Sequence, residues 1–354
     1  MARCLSAGKR GYVQRLAHST PPFVSTILYN EEDNMELATN VDGCALVFEG
    51  GGYRAGYTAG MANVLLEEGI YFPFVCGLSA GASNTVDYLS RDQWRTHWAF
   101  TNIVADPRSG GRMSALRGEG YFNASFCYRG VIEQGIAPFD WNTFVANPAR
   151  MRIQSFERDT GRTVTWGKED VNSVEELIDR VQASSTVPWL MTPMQLNGQT
   201  MLDGGLGKGA GLPLWMAEEA GYDKFLFLST RPKGYRKEPF SGPARQVILR
   251  LTADYPHMQE ALLTRAERYN AEMERIEKLA RQGRCLIVHP DVMPVESTTL
   301  DLQRLEASYR MGHAQALREL PRWREFLFGS PTAGPRTRPI PTRPFTGDAN
   351  YVWL

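Results

Sequence analysis

Three stretches of this 354-residue chain predict an α/β fold with a mainly parallel central sheet and a helical C-terminal extension. Cys44 to Gly81 reads as strand, glycine loop, helix, strand, and a Gly-x-Ser-x-Gly turn that opens a second helix. PLWMAEEAG followed by KFLFLST repeats the step from helix to fully apolar strand, the pattern of a sheet covered on both faces. From Met258 onward the apolar period changes to four and three, and helices take over.

The first strand, CALVF, runs into Gly50, Gly51 and Gly52, with Arg54 just beyond. Consecutive glycines let backbone N–H groups face one small concavity at a helix N-terminus, where negative charge is stabilised. An apolar strand over Phe72 to Cys76 then leads to Ser79 between Gly77 and Gly81. A tight strand-to-helix bend exposes the serine hydroxyl only if its neighbours are small, so Ser79 is the candidate nucleophile. Gly50 to Gly52 are candidate oxyanion donors, with Arg54 supporting them. Triple glycine could instead cradle a phosphate, but the Gly-x-Gly-x-x-Gly spacing and the Gly-Lys-Ser/Thr ending are both missing.

Ala82 to Leu89 continues the helix behind Ser79, and a Gly/Arg/Ser-rich connection follows around Asp106 to Gly120. MRIQSF, the turn DTG and RTVTW predict a hairpin. Ser173 with Glu176 has capping-box spacing for the helix SVEELIDRVQASS. The apolar loop Thr186 to Met191 next in line is read either as a wall of an acyl-chain pocket or as ordinary packing. Asp203 lies in QLNGQTMLDGGLGKG, followed by Gly204 and Gly205, where a bent glycine backbone can bring the carboxylate close to Ser79.

Met258, Leu262, Ala266, Tyr269, Met273, Ile276 and Ala280 predict one docked helix ending at Gly283, and a second helix is expected from Leu302 to Leu320. The last 26 residues, with five prolines and three arginines, read as a loose tail. Residues 1–40 read as a leader: basic up to Asn30, without a secretory core, and explained by a disordered arm or an over-extended start, Met35 being the alternative. Function is expected to survive its removal.

Composition limits the partners. Thirty-nine basic residues balance 39 acidic ones, so no global field attracts nucleic acid, and any lipid contact is a local, peripheral one. Five scattered cysteines lack Cys-x-x-Cys spacing, which argues against zinc and disulfide frameworks and for a reducing, cytoplasmic location. No metal or cofactor site is expected, and nothing specifies an oligomeric state.

FEGGGYRAG, GLSAG and DGG, taken in that order, resemble the patatin-like phospholipase family. PFVCGLSAGASN, ASSTVPWL and DKFLFLSTRPKGYRK are similar to its bacterial branch, as is a helical extension over residues 240–328. The resemblance spans roughly residues 42–328. It implies a three-layer α/β/α fold, a catalytic domain over 41–239, and a Ser79–Asp203 dyad that hydrolyses lipid acyl esters without a histidine. Ala55 departs from the family, which usually carries glycine there; its extra methyl predicts a tightened loop. A free aspartate is a weak base, with a pKa of about 3.9, so Asp203 needs partial burial to accept the serine proton.

The main rival is a Ser79–Asp203–His289 triad, because that chain order matches the α/β-hydrolases. Against it, the elbow follows the second strand, and His289 lies inside the extension. His18, His97, His257 and His313 read as structural. Alternative activities are a small-ester carboxylesterase, an acyltransferase and a non-catalytic lipid-binding protein.

Overall fold

The computed structural model describes residues 37–335. The leader to residue 36 and most of the tail lie outside the described residues, and with them the readings of both segments.

Among the described residues, eight strands form one sheet in the order β5-β6-β3-β2-β1-β7-β8, with β4 also paired to β3. β1 (Cys44–Phe48), β2 (Phe74–Leu78), β3 (Arg150–Glu157), β7 (Lys224–Leu228) and β8 (Cys285–Val288) are parallel. β4 (Thr163–Trp166) and β6 (Gln199–Asp203) run antiparallel to β3, and β5 (Met194–Leu196) pairs antiparallel with β6. β8 comes from within 240–328, so the extension also supplies an edge strand.

Alternation along the buried strands splits the core in two. Leu46, Phe48, Val75 and Leu226 meet Met61, Leu65, Val86, Val181 and Trp323 on one face. Val47, Phe74, Cys76 and Phe227 meet Leu214, Met216, Met273 and Ile276 on the other. The fold is therefore three-layer α/β/α. The helices Ala55–Glu67, Ala80–Leu89, Val174–Ser185 and Leu302–Phe328 lie on the first face, and Leu214–Glu219 and Arg265–Arg281 on the second.

Several elements differ from their sequence expectation. The second strand is Phe74–Leu78, two residues later than its apolar run suggests, because Ile70 to Phe72 enter the core as a loop. The helix expected from Met258 to Ala280 divides at Thr264 into Pro256–Leu263 and Arg265–Arg281. There the Thr264 hydroxyl donates to the Glu260 carbonyl at 2.9 Å, a back-bond that bends helices. The last helix runs through Pro321 to Phe328 instead of stopping at Leu320. Pro321 is exposed, so water can serve the carbonyl it leaves unpaired, while Trp323 and Leu327 bury the next turns and Arg324 donates to Glu68 at 2.7 Å. Ser173 caps its helix as expected, accepting from the Glu176 N–H, but the Glu176 carboxylate takes the Asn172 N–H instead of closing the box.

Candidate active site

The sheet register brings the site together. β4 occupies one edge of β3 from Ile153 to Phe156, so β2 and β6 must share the opposite edge, end to end. β2 finishes with Leu78 opposite Gln154, and β6 finishes with Asp203 opposite the next residue, Ser155. Ser79 follows Leu78 directly, so two residues 124 positions apart in sequence meet across one step of β3.

Ser79 has φ 55° and ψ −134°, a backbone that L-residues rarely adopt, and strain of this kind persists only where the surroundings hold it. Its N–H donates to Ser184 Oγ at 2.8 Å, and that hydroxyl donates to the Gln154 carbonyl at 2.6 Å. Its carbonyl accepts from the Ala82 N–H at 2.8 Å. Gly77 is needed because a Cβ there would lie 2.1 Å from the Gly81 carbonyl oxygen. Gly81 sits in the first turn of the Ala80–Leu89 helix.

Asp203 is buried. Its N–H donates to the Thr186 carbonyl at 2.7 Å, and its Oδ1 accepts from the Gly205 N–H at 2.7 Å, across the short 3-10 turn that begins with Gly204. Burial raises its pKa above the ordinary aspartate value, against the opposing pull of Arg265, the Ser79 hydroxyl and the Gly205 N–H. The burial that the sequence argument required is thus present.

The glycine loop closes over the elbow. Gly50 donates its N–H to the Gly211 carbonyl at 3.4 Å and accepts from Thr230 Oγ1 at 2.8 Å. Gly51 has an extended φ of 175°, and Gly52 a φ of 55° that favours glycine. Both glycines line the space beside Ser79. Arg54 is buried, 3.9 Å from Glu296, with its Nε unpartnered. Burial and Arg231 lower its pKa to about 10. Ala55 begins its helix in ordinary right-handed geometry, with its methyl buried in a cluster with Ala59, Ala80 and Phe100.

No described histidine lines the cavities at Ser79. His289 Nδ1 lies 3.0 Å from the Arg231 carbonyl; His97 and His313 pair with Glu306 and Glu67.

Two cavities meet at Ser79 and share Gly52, Val187, Leu190 and Ser297 as walls. One, about 160 Å³, is apolar, lined by Phe122, Val131, Ile178, Val181 and Met191. At its wall Asp87 and Arg95 form a buried ion pair at 3.0 Å, and burial pushes the Asp87 carboxyl up to about 6. The other, about 430 Å³, is the more polar of the two and reaches Asp203, Arg54, Arg231, Lys237 and Arg265. The 186–191 loop therefore walls the apolar cavity through Val187, Leu190 and Met191. Sequence reasoning missed Ser184 and the distal cations, because none lies in a recognisable spacing.

The patatin-like phospholipase model matches residues 46–217, which hold the glycine loop, Ser79 and Asp203. The chain carries a patatin-like phospholipase domain. At the level of that family it falls among lipid acyl hydrolases. A domain of unknown function, DUF6363, matches residues 255–328. The crystal structure of VipD from Legionella pneumophila is similar over 79% of this chain and 67% of that one, at 12% identity and a TM-score of 0.44. No curated protein sequence matches at a significant level. Among the described residues, no helix of the patatin-like protein is long and apolar enough to cross a membrane.

Proposed function

We propose that this chain is a serine hydrolase of glycerophospholipid or lysophospholipid acyl esters, working through a Ser79–Asp203 dyad. The observation that carries the reading is the meeting of a strained, clamped serine with a buried carboxylate of raised pKa, at the junction of an apolar and a polar cavity. Ser79 Oγ attacks the ester carbonyl while Asp203 accepts its proton. The N–H groups of Gly51 and Gly52 hold the oxyanion, since that of Gly50 is engaged by Gly211. Collapse breaks the ester C–O bond, and Asp203 returns the proton to the departing glycerol oxygen. Water, deprotonated by Asp203, then attacks the acyl-serine; the bond from the acyl carbon to Ser79 Oγ breaks, the fatty acid leaves, and Asp203 returns the proton to Ser79 Oγ. Residues 41–239 hold this machinery, and 240–328 close the polar cavity through Arg265.

Treatment with a fluorophosphonate probe and mass-spectrometric mapping tests the reading. Adduct at Ser79 is expected in the wild type and in His289→Ala, and none in Asp203→Asn. A folded wild-type protein that stays unlabelled at Ser79 would overturn the hydrolase and favour a lipid-binding protein.

The apolar cavity gives a second expectation. Val181 is buried in its wall, so Val181→Phe shortens the space for the acyl chain. Each methylene kept out of the cavity forfeits about 0.8 kcal/mol, so excluding two lowers kcat/KM for a long chain about tenfold. The optimum should move to shorter chains, read from a series of lysophospholipids differing only in chain length. An unchanged profile would place the acyl chain elsewhere.

A further inference from the structure

The polar cavity holds four cationic side chains, Arg54, Arg231, Lys237 and Arg265, against two carboxylates, Glu49 and Asp203. Neither carboxylate makes a direct ion pair with them among the described residues. Glu49 accepts from Ser229 Oγ at 2.7 Å, the Thr230 N–H at 2.8 Å and the Tyr269 hydroxyl at 2.7 Å. Asp203 is held by Gly205 and faces Ser79. Of the four cations, only Arg54 makes an ion pair among the described residues. Arg231 lies over the Tyr235 ring at 4.1 Å, and Lys237 over Tyr269 at 4.6 Å. Arg265 Nε donates to the Ala210 carbonyl at 3.4 Å.

Like charges converging on one cavity repel one another, and burial also strips hydration from Arg54 and Lys237, at a cost that an anion between them would offset. With both carboxylates ionised and all four cations charged, the lining keeps two positive charges in excess, one of them Arg54 opposite Glu296, so the net field at the cavity favours an anion such as a phosphate. Because this cavity and the apolar one share the wall at Ser79, a molecule filling both would place its ester at the nucleophile, its chain on one side and its anion on the other.

We propose that Arg231, Lys237 and Arg265, with Arg54 beside them, bind the phosphate of a glycerophospholipid headgroup next to the ester that Ser79 attacks, which selects acylglycerol phosphates over neutral acylglycerols. This rests on the hydrolase reading only for the ester's position. It gives the DUF6363 segment a role, because Arg265 lies within it. Lys237 supports the assignment: burial, then Arg265 and Arg231, lower its pKa to about 7, with Arg54 adding to them and Glu49 opposing. The groups facing Lys237 are these four and the Tyr235 and Tyr269 rings. An anion favours the charged ammonium and the phosphate is a dianion only above about pH 6, so affinity is expected to peak between about pH 6 and 7 and to fall as pH rises past the Lys237 value.

The test is calorimetric binding to the full-length Ser79→Ala protein, which cannot turn over ligand. The probes are a 1-acylglycerol 3-phosphate and the monoacylglycerol of the same chain. The phosphate compound is expected to bind about tenfold tighter or more, the scale of a charge-assisted hydrogen bond. Adding Arg231→Met and Lys237→Met should collapse that ratio toward one, while Lys237→Arg should keep most of it. A ratio that survives both Met substitutions, or equal losses for both lipids, overturns the proposal. Glycerol 3-phosphate and inorganic phosphate separate the sources of the anion. If glycerol 3-phosphate displaces the lipid more strongly than inorganic phosphate, the headgroup is supported; if inorganic phosphate is at least as effective, the site serves free phosphate and the headgroup assignment fails. Ser79 labelling in the wild type is read independently, so loss of the hydrolase and loss of the phosphate pocket give different results.

Discussion

Ser79→Ala is expected to reduce lipid hydrolysis to background, and Asp203→Asn to lower kcat by about 100- to 10,000-fold, the range of a positioned general base. Two residues working as the proposed dyad are not additive, so the double variant should be little worse than Ser79→Ala alone. Asn at 203 keeps an oxygen for the Gly205 N–H but has no lone pair basic enough to take the serine proton. The pH profile supplies the sign. Only ionised Asp203 is a base, and its pKa is raised, so kcat/KM should fall with acidification along a limb lying above the ordinary aspartate range. In the variant that limb should vanish.

Stability should move the other way. The folded-state pKa of Asp203 exceeds the unfolded one, so between the two the native state holds a proton that the unfolded chain has released. The corresponding stability is present at low pH and is lost as pH rises through the folded pKa. At neutral pH the buried carboxylate is therefore a cost, and Asp203→Asn should melt no lower than the wild type. A variant that loses activity together with several degrees of melting temperature would mark Asp203 as structural.

Gly312→Ala is expected to destabilise the protein, although alanine is favoured over glycine in helices by about 1 kcal/mol. Gly312 lies in the Leu302–Phe328 helix, and a Cβ there would sit 2.0 Å from the Tyr57 carbonyl oxygen in the Ala55–Glu67 helix. Reciprocally, a Cβ at Gly60 would lie 2.3 Å from the Tyr309 carbonyl oxygen. The two backbones touch at this crossing, so a methyl group must push the helices apart. Overpacking of this kind costs about 1–3 kcal/mol, which exceeds the helix-propensity gain. The crossing also holds the buried hydrogen bond from the Tyr57 hydroxyl to Gln315 Oε1, at 2.6 Å, and separation would strain it. Denaturant unfolding of Gly312→Ala and Gly60→Ala measures the effect; equal or greater stability in both would show that the crossing relaxes without loss.

Features written in contiguous residues were legible in the sequence. Strand, glycine loop and helix around Gly50 to Gly52, and the elbow at Ser79, follow from local sterics and the two-residue period of a buried strand. The apolar stripe from Met258 to Ile276 is buried as its spacing implies, and the helix ends at Gly283 in a Schellman arrangement, with Gly283 N–H to Ala280 and Arg284 N–H to Leu279. Element ends were less legible where tertiary contacts outweigh local preference. Trp323 and Leu327 carry the last helix past Pro321, and Thr264 bends what the stripe presents as continuous.

By itself, the sequence determined which groups could do the chemistry: a serine on a glycine-flanked bend, glycines with spare N–H groups, and an aspartate before a glycine pair. Only the tertiary structure decided that Asp203 reaches Ser79 and that His289 stays with the Arg231 carbonyl, because β2 and β6 share one edge of β3. It also gathered Arg231, Lys237 and Arg265 around one cavity, from a loop after β7 and a helix beyond it. The physical reason is range: local sterics and periodicity act over a few residues, whereas strand register and helix crossing are set by packing between segments far apart in the chain.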